Sequence, residues 1–209
     1  MINSKLMIGV MSGPSLDGID IALTEIHRNK VSVIDFYHIN YAKKVKENIL
    51  KLHFPNNNEL ENSHVLSNEL ARLTGKAINR LLKKNNLIPS QIKGVGYHGQ
   101  TVRHKPDKGY SIQIGNADLL AEITHLDIVS NFRNRDIAAK GQGAPLVPAF
   151  HKYLFYSKSK NRVIVNIGGI SNITYLPISG KIVGFDCGPG NILMDHWIKV
   201  NHDLNFDKN

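Results

Sequence analysis

The chain has 209 residues, enough for one large or two small domains, and its 42% hydrophobic content supports a packed core. The net charge of +9 is carried by lysines scattered beside asparagines, without an arginine-rich arm or a basic block interleaved with aromatics. That pattern argues against a nucleic-acid binder and leaves nucleotide phosphates and acidic sugars as compatible partners.

A single cysteine, Cys187, excludes an internal disulfide and suggests a reducing compartment. The opening residues lack a signal-peptide pattern, and no apolar run approaches the ~18 residues of a membrane span. The expectation is a cytoplasmic protein without membrane contact.

In chain order, an apolar run from Leu6 to Met11 meets the small-residue turn Ser12-Gly13-Pro14-Ser15-Leu16-Asp17-Gly18. Alternation then resumes, with Ile19, Ile21 and Leu23 on one face and Asp20, Ala22 and Thr24 on the other, so the stretch reads as a hairpin. It lacks the Lys-Ser/Thr and helix start of a Walker loop. Its tip offers backbone amides that can wrap phosphate and an Asp suited to a water-rich Mg²⁺, or it is an ordinary Gly-rich hairpin. Residues 31–37 read as a third strand and 43–53 as a helix. A longer helix over 59–84 has a Leu66, Leu70, Leu73, Ala77, Leu81 stripe, ended by Asn85, Asn86 and Pro89.

Residues 94–97 read as a short buried strand ending at His98-Gly99-Gln100-Thr101. Residues 111–114 follow as a strand, 117–124 as a helix, 127–132 as a strand, then a polar Gly/Arg loop and a helix over 145–155. From Arg162 the opening pattern restarts: a strand to Ile167, a Gly168-Gly169 turn with Ser171-Asn172, a strand over 173–176, a Ser179-Gly180 turn and a strand over 182–185. Two hairpin tips of like chemistry suggest duplicated lobes, each offering a phosphate-binding turn to a cleft between them. The expected division is an N-terminal lobe over 1–158 and the start of a second over 159–209.

Asp186 is expected just beyond that last strand, before Cys187-Gly188-Pro189-Gly190-Asn191 and an apolar helix from Ile192. A carboxylate there is placed to act as a general base, or to cap the helix. His98 and Gln100 are candidates to bind a sugar, with His98 as a core histidine the alternative. Arg133 and Arg135 either clamp a carboxylate or pair internally with Asp136. The segment 141–145 is a ligand-lining loop or a helix lead-in. Ten histidines form no HExxH or Cys/His cluster, no G-x-S-x-G is present, and Cys187 reads as a reactive thiol or, as is more common for a lone cysteine, a packing residue.

The segments GVMSGPSLDGID, YHGQTVRHKP, QIGNADLLAE, FRNRDIAAKGQGAPLVPAFH, VNIGGISNITYL and GFDCGPGNILMDHWI together resemble the anhydro-N-acetylmuramic acid kinase family. The resemblance implies an α/β, ribonuclease H-like fold of the actin/hexokinase/Hsp70 ATPase type. It implies ATP with Mg²⁺ as cofactors, a small amino sugar as substrate, and a homodimer. By that resemblance Asp186 is catalytic; Gly13, Pro14, Ser15, Leu16, Asp17, Gly18, Ile19 and Asp20, with Gly168 and Gly169, bind ATP; and His98, Gln100, Arg135 and Asn191 bind sugar.

The family has Thr at Pro14, usually Asp at Asn131 and Gly at Lys140, and Pro14 removes one phosphate contact. Family chains also run on through a longer second lobe, so the expectation is a C-terminally truncated chain that binds ATP poorly, its apolar residues Ile164, Ile173 and Trp197 lacking a cover. The rival expectation is a non-catalytic remnant that binds the sugar or a partner.

Overall fold

The computed structural model describes residues 4–27 and 30–204. The elements in order are β1 (Lys5–Ser12), β2 (Gly18–His27), β3 (Lys30–Asn40), α1 (Lys43–Lys51), α2 (Glu59–Lys84), β4 (Ile92–Lys105), β5 (Tyr110–Ile114), α3 (Ala117–Thr124), β6 (Ile128–Val129), α4 (Phe132–Ala138), α5 (Pro148–Phe155), β7 (Arg162–Ile167), β8 (Ile170–Leu176), β9 (Val183–Pro189) and α6 (Ile192–His202). Contacts divide them into two compact units, 1–135 and 136–209.

In the first unit, β1, β2 and β3 form an antiparallel meander, and β4 lies parallel to β1 on its other side. The start of β4 pairs in parallel with β6 and its far half pairs antiparallel with β5, giving the order β3-β2-β1-β4-β5 with β6 beside β4. A meander followed by parallel strands and intervening helices is the ribonuclease H-like arrangement. Alternation drives it: Ile8 and Val10 of β1 and Ile19, Ile21 and Leu23 of β2 are buried, meeting Leu70, Ile78 and Leu81 of α2 and Leu120 of α3 in one core. At the end of α2, Lys84 and Asn85 each donate to Asp35 of β3 at 2.9 Å, anchoring the helix to the meander.

The second unit is a three-stranded antiparallel sheet, β7-β8-β9, with α5 on one face. His151 of α5 hydrogen-bonds the fully buried Thr174 hydroxyl of β8 at 2.9 Å, and Pro148 sits against Gly184 of β9. The opposite face is left open, with Val163, Val165, Ile167, Val183 and Phe185 all exposed, Ile167 by 71%. Trp197 of α6 is exposed as expected, whereas Ile164 and Ile173 are half-buried.

Several expectations shift. The strand over 94–97 extends over Ile92–Lys105, because residues 100–105 are paired by β5. The polar 133–138 segment is helical: Asn134 docks α4 by accepting from the Ser111 amide at 2.7 Å, which no apolar stripe announced. The 127–132 strand shrinks to two residues. Ser171 and Asn172 lie within β8, and Asp186 lies within β9 instead of beyond it. Contacts group residues 136–158 with the later strands, where α5 packs on β8. The polar tail through Asn209 lies outside the described residues.

Ile78 is fully buried in the second half of α2. Ile78→Ala should lower unfolding stability by about 2–5 kcal/mol in a urea titration with an unchanged m-value; a loss under about 0.5 kcal/mol would contradict the core as described.

Candidate functional site

Each unit carries one part of the candidate site. In the first, the turn between β1 and β2 closes with Leu16 N–H donating to the Gly13 carbonyl at 3.4 Å. Pro14 therefore takes the second position of a β-turn, where its fixed φ suits the geometry, and the amide it lacks is not needed to close the turn. Leu16 adopts φ +56° with its side chain buried, and Ile19 is buried beside it. Both are core anchors, so these two ATP candidates offer only main-chain groups at the surface. The Ser15 hydroxyl donates to the Asp17 carboxylate. The amides of Ser15 and Asp17 donate to no acceptor among the described residues, which suits an anion. Asp20 is drawn off to His38, 2.7 Å away, and that contact holds the imidazole pKa above 6.5.

The middle of β4 supports this turn. Its register puts Gln100 beside Ser12, and Gln100 has no exposed surface. Its amide donates to the Gly13 carbonyl at 3.1 Å and the Thr101 carbonyl at 3.3 Å, while its oxygen accepts from the Tyr41 hydroxyl at 3.3 Å. Burial pushes the Tyr41 phenol up to about 12, so it remains a donor at neutral pH. The carbonyl of Gly99 accepts from Ser12 Oγ at 2.9 Å. Gly99 itself sits at φ +70° with the Ile114 carbonyl 2.7 Å from where a Cβ would stand, so only glycine fits.

His98 bridges two groups. Nδ1–H donates to the Gly99 carbonyl at 2.6 Å and Nε2 accepts from Arg133 Nε at 3.0 Å, which fixes a neutral imidazole. Burial, followed by the Arg133 charge, pulls its pKa below 6.5. Arg135, on α4, is exposed. Asp136 accepts from the Gly143 amide at 2.7 Å, so its carboxylate organises the 141–143 loop. Of the three positions that depart from the family pattern, two have left-handed backbone, Asn131 at φ +63° and Lys140 at φ +72°. Asn tolerates that region, and for Lys it costs roughly 1 kcal/mol, the conformation for which glycine is better suited.

In the second unit, Asn166, Asn172 and Asp186 are direct cross-strand partners on β7, β8 and β9. Directly opposed residues share a face, so they form one polar row. The β8/β9 register shifts between Ser171 and Asn172, leaving Cys187 as an extra, exposed residue on the bulged strand. Asp186 is exposed at this bulge, and Asn172 Oδ1 beside it is buried without a partner. The Gly168-Gly169 turn is locked from the other side: Gly190 N–H donates to Gly169 O and Asn191 N–H to Gly168 O, each at 2.8 Å. A Cβ on Gly190 would collide with the Gly168 carbonyl, so the approach requires glycine. Asn191 starts α6, donates to Asp195 at 3.0 Å, and keeps an unpartnered buried Oδ1.

The structure thus joins Gly13, Ser15, Asp17 and Gln100 in one network, and Gly168, Gly169 and Asn191 in another. Tyr41 joins the first through its hydroxyl and its amide, and Asn172 lies in the row with Asp186; sequence reasoning gave neither a site role. No group of three His, Cys, Asp or Glu side chains suited to a metal occurs among the described residues, and a water-rich Mg²⁺ needs only one or two carboxylates. No helix among them is long and apolar enough to cross a membrane.

Because the native state holds His98 neutral, stability should be full above pH 6.5 and fall as the pH drops below it, where the unfolded chain takes up a proton first. His98→Gln should flatten the decline in urea-derived stability between about pH 7 and 5. A wild-type imidazole titrating above 6.5 by NMR would contradict the Arg133 contact.

The family model described as anhydro-N-acetylmuramic acid kinase matches residues 5–209. The chain is 50% identical over 203 residues to the anhydro-N-acetylmuramic acid kinase of Nitrosospira multiformis, covering 96% of this chain and 56% of that one. It is 46% identical over 209 residues to that of Neisseria meningitidis serogroup C, covering 100% and 57%. The chain therefore spans about half the length of the curated relatives it matches. Solved structures with a looser likeness include the Aquifex aeolicus PPX-GPPA enzyme (TM-score 0.43, 9% identity, 94% of this chain and 56% of that). Another is the ethanolamine utilization protein EutJ of Carboxydothermus hydrogenoformans (TM-score 0.44, 12%, 98% and 58%). At these scores neither supports a functional argument. The match along nearly the whole length is decisive: the chain belongs to the anhydro-N-acetylmuramic acid kinase family.

Proposed function

We propose that this chain contributes the phosphate-binding hairpin and the general base of a cytoplasmic sugar kinase. The reaction would use ATP and water to convert 1,6-anhydro-N-acetylmuramic acid to N-acetylmuramic acid 6-phosphate, a step of cell-wall recycling. The observation supporting this most is that Asp186, the carboxylate of the GFD-x-GPGN motif, is exposed on a polar strand row beside a glycine-locked turn. A water held by Asp186 loses its proton to the carboxylate as its oxygen bonds the anomeric carbon. The bond from that carbon to the 6-oxygen breaks, and the 6-oxygen accepts the γ-phosphoryl group, releasing ADP.

The free amides of Ser15 and Asp17, with Gly13 and Gly18 around them, suit the nucleotide phosphates. The Asp17 carboxylate is the group at the tip suited to Mg²⁺, which when bound supplies charge neutralisation between phosphates. Gly168 and Gly169 form the matching turn of the second lobe, whose start we place at 159, after a first lobe over 1–158. Exposed Arg135 and the Asn191 carboxamide are the sugar contacts we retain, with His98 acting through Arg133. The oligomer expected on this reading is a homodimer.

A second reading, a non-catalytic chain that binds the sugar or a protein partner, draws on the open apolar face of β7, β8 and β9. ADP release in the presence of 1,6-anhydro-N-acetylmuramic acid separates the two. The kinase reading expects sugar-dependent ADP release, lowered about 10²–10⁴-fold in Asp186→Asn with sugar binding intact. Sugar binding without ADP release in the unaltered chain would favour the second reading.

A further inference from the structure

Gln100 has a sequence position that suits a sugar ligand and an environment that does not. The side chain has no exposed surface. Both amide hydrogens are committed, to the Gly13 carbonyl at 3.1 Å and the Thr101 carbonyl at 3.3 Å, and the oxygen accepts from Tyr41 Oη at 3.3 Å. A primary amide has two donors and one acceptor oxygen, so no donor remains for a ligand.

Tyr41 reaches the same turn from its other end. Its backbone N–H donates to the Asp17 carbonyl at 3.0 Å, while its hydroxyl holds Gln100, which in turn holds Gly13. The two ends of the β1–β2 turn are therefore tied together through residues of two other segments, the end of β3 and the middle of β4. Between the tied ends lie the amides of Ser15 and Asp17, the two that have no acceptor within the described residues.

We infer that Gln100 and Tyr41 form a two-ended clamp that positions the phosphate-binding turn, so that Gln100 is a positioning residue for the nucleotide instead of a contact for the sugar. The identity of the ligand rests on the kinase reading; the clamp itself is a property of the turn. Backbone donors bind an anion best when they are fixed before it arrives, since no reorganisation is then needed on binding. Without the Gln100 amide the Gly13 carbonyl keeps only the long bond from Leu16, the Tyr41 hydroxyl loses the Gln100 oxygen, and the tip amides lose their fixed direction.

Hydrogen exchange of the hydrogen-bonded Leu16 and Tyr41 amides, which close the two ends of the turn, and calorimetric titration with Mg-ATP and with 1,6-anhydro-N-acetylmuramic acid test this on the intact chain, comparing wild type, Gln100→Leu, Gln100→Glu and Tyr41→Phe. The clamp expects exchange at these two amides to speed up about tenfold in the Gln100 variants and less in Tyr41→Phe, with α2 amides unchanged. It also expects Mg-ATP affinity to fall about tenfold while sugar affinity stays within about twofold. Unchanged exchange at both amides overturns it, as does lost sugar affinity with Mg-ATP binding intact, or exchange that accelerates throughout the unit. Tyr41→Phe removes one oxygen and decides the matter if the Gln100 variants do not fold. A wild-type chain that binds neither ligand defeats the kinase reading, and the exchange measurement still judges the clamp.

Discussion

The parallel pairing of β1 with β4 is the constraint from which the first unit takes its form. It sets Ser12 beside Gln100, and that one register decides which side chain reaches beneath the hairpin turn. The core follows from the same pairing, because it sets Ile8 beside Val95 and Val10 beside Tyr97 within the buried cluster. A slip by one residue would exchange the two faces and put Gln100 away from the turn.

The second unit achieves a similar result with different means. There the turn at Gly168-Gly169 is held by backbone amides at the head of α6, and a bulge at Cys187 shifts the strand next to Asp186. In one unit a buried side-chain amide holds the turn; in the other, main chain holds main chain through a glycine with no room for a Cβ. Both leave polar groups outward, the Ser15 and Asp17 amides in the first and the Asp186 carboxylate in the second. The apolar face of β7, β8 and β9 is open, while Thr174 and Leu176 of β8 are fully buried.

Much of this was legible in the sequence where periodicity was strong. The α2 bounds, the α3 bounds and the β7 strand match their patterns because apolar spacing and terminators agree there. The α4 helix was not legible, since its residues carry no apolar stripe and it is fixed by the Asn134 contact to β5. Nor was the length of β4, because His98-Gly99-Gln100-Thr101 has the composition of a loop and becomes strand only when β5 pairs with it. Motif matching marked Gln100 and Asn191 as sugar contacts but could not show which groups hold them. The contact that withdraws Gln100 from solvent spans 87 residues of sequence, and no local pattern encodes it.

The central claim is that the turn after β1 receives nucleotide phosphate through its two uncommitted amides. Backbone amide chemical shifts of ¹⁵N-labelled chain during titration with Mg-ATP test it most directly. The account predicts saturable shifts concentrated at Ser15, Asp17 and Gly18, with the α2 amides still. Shifts confined to other regions, or none at millimolar nucleotide, would contradict it.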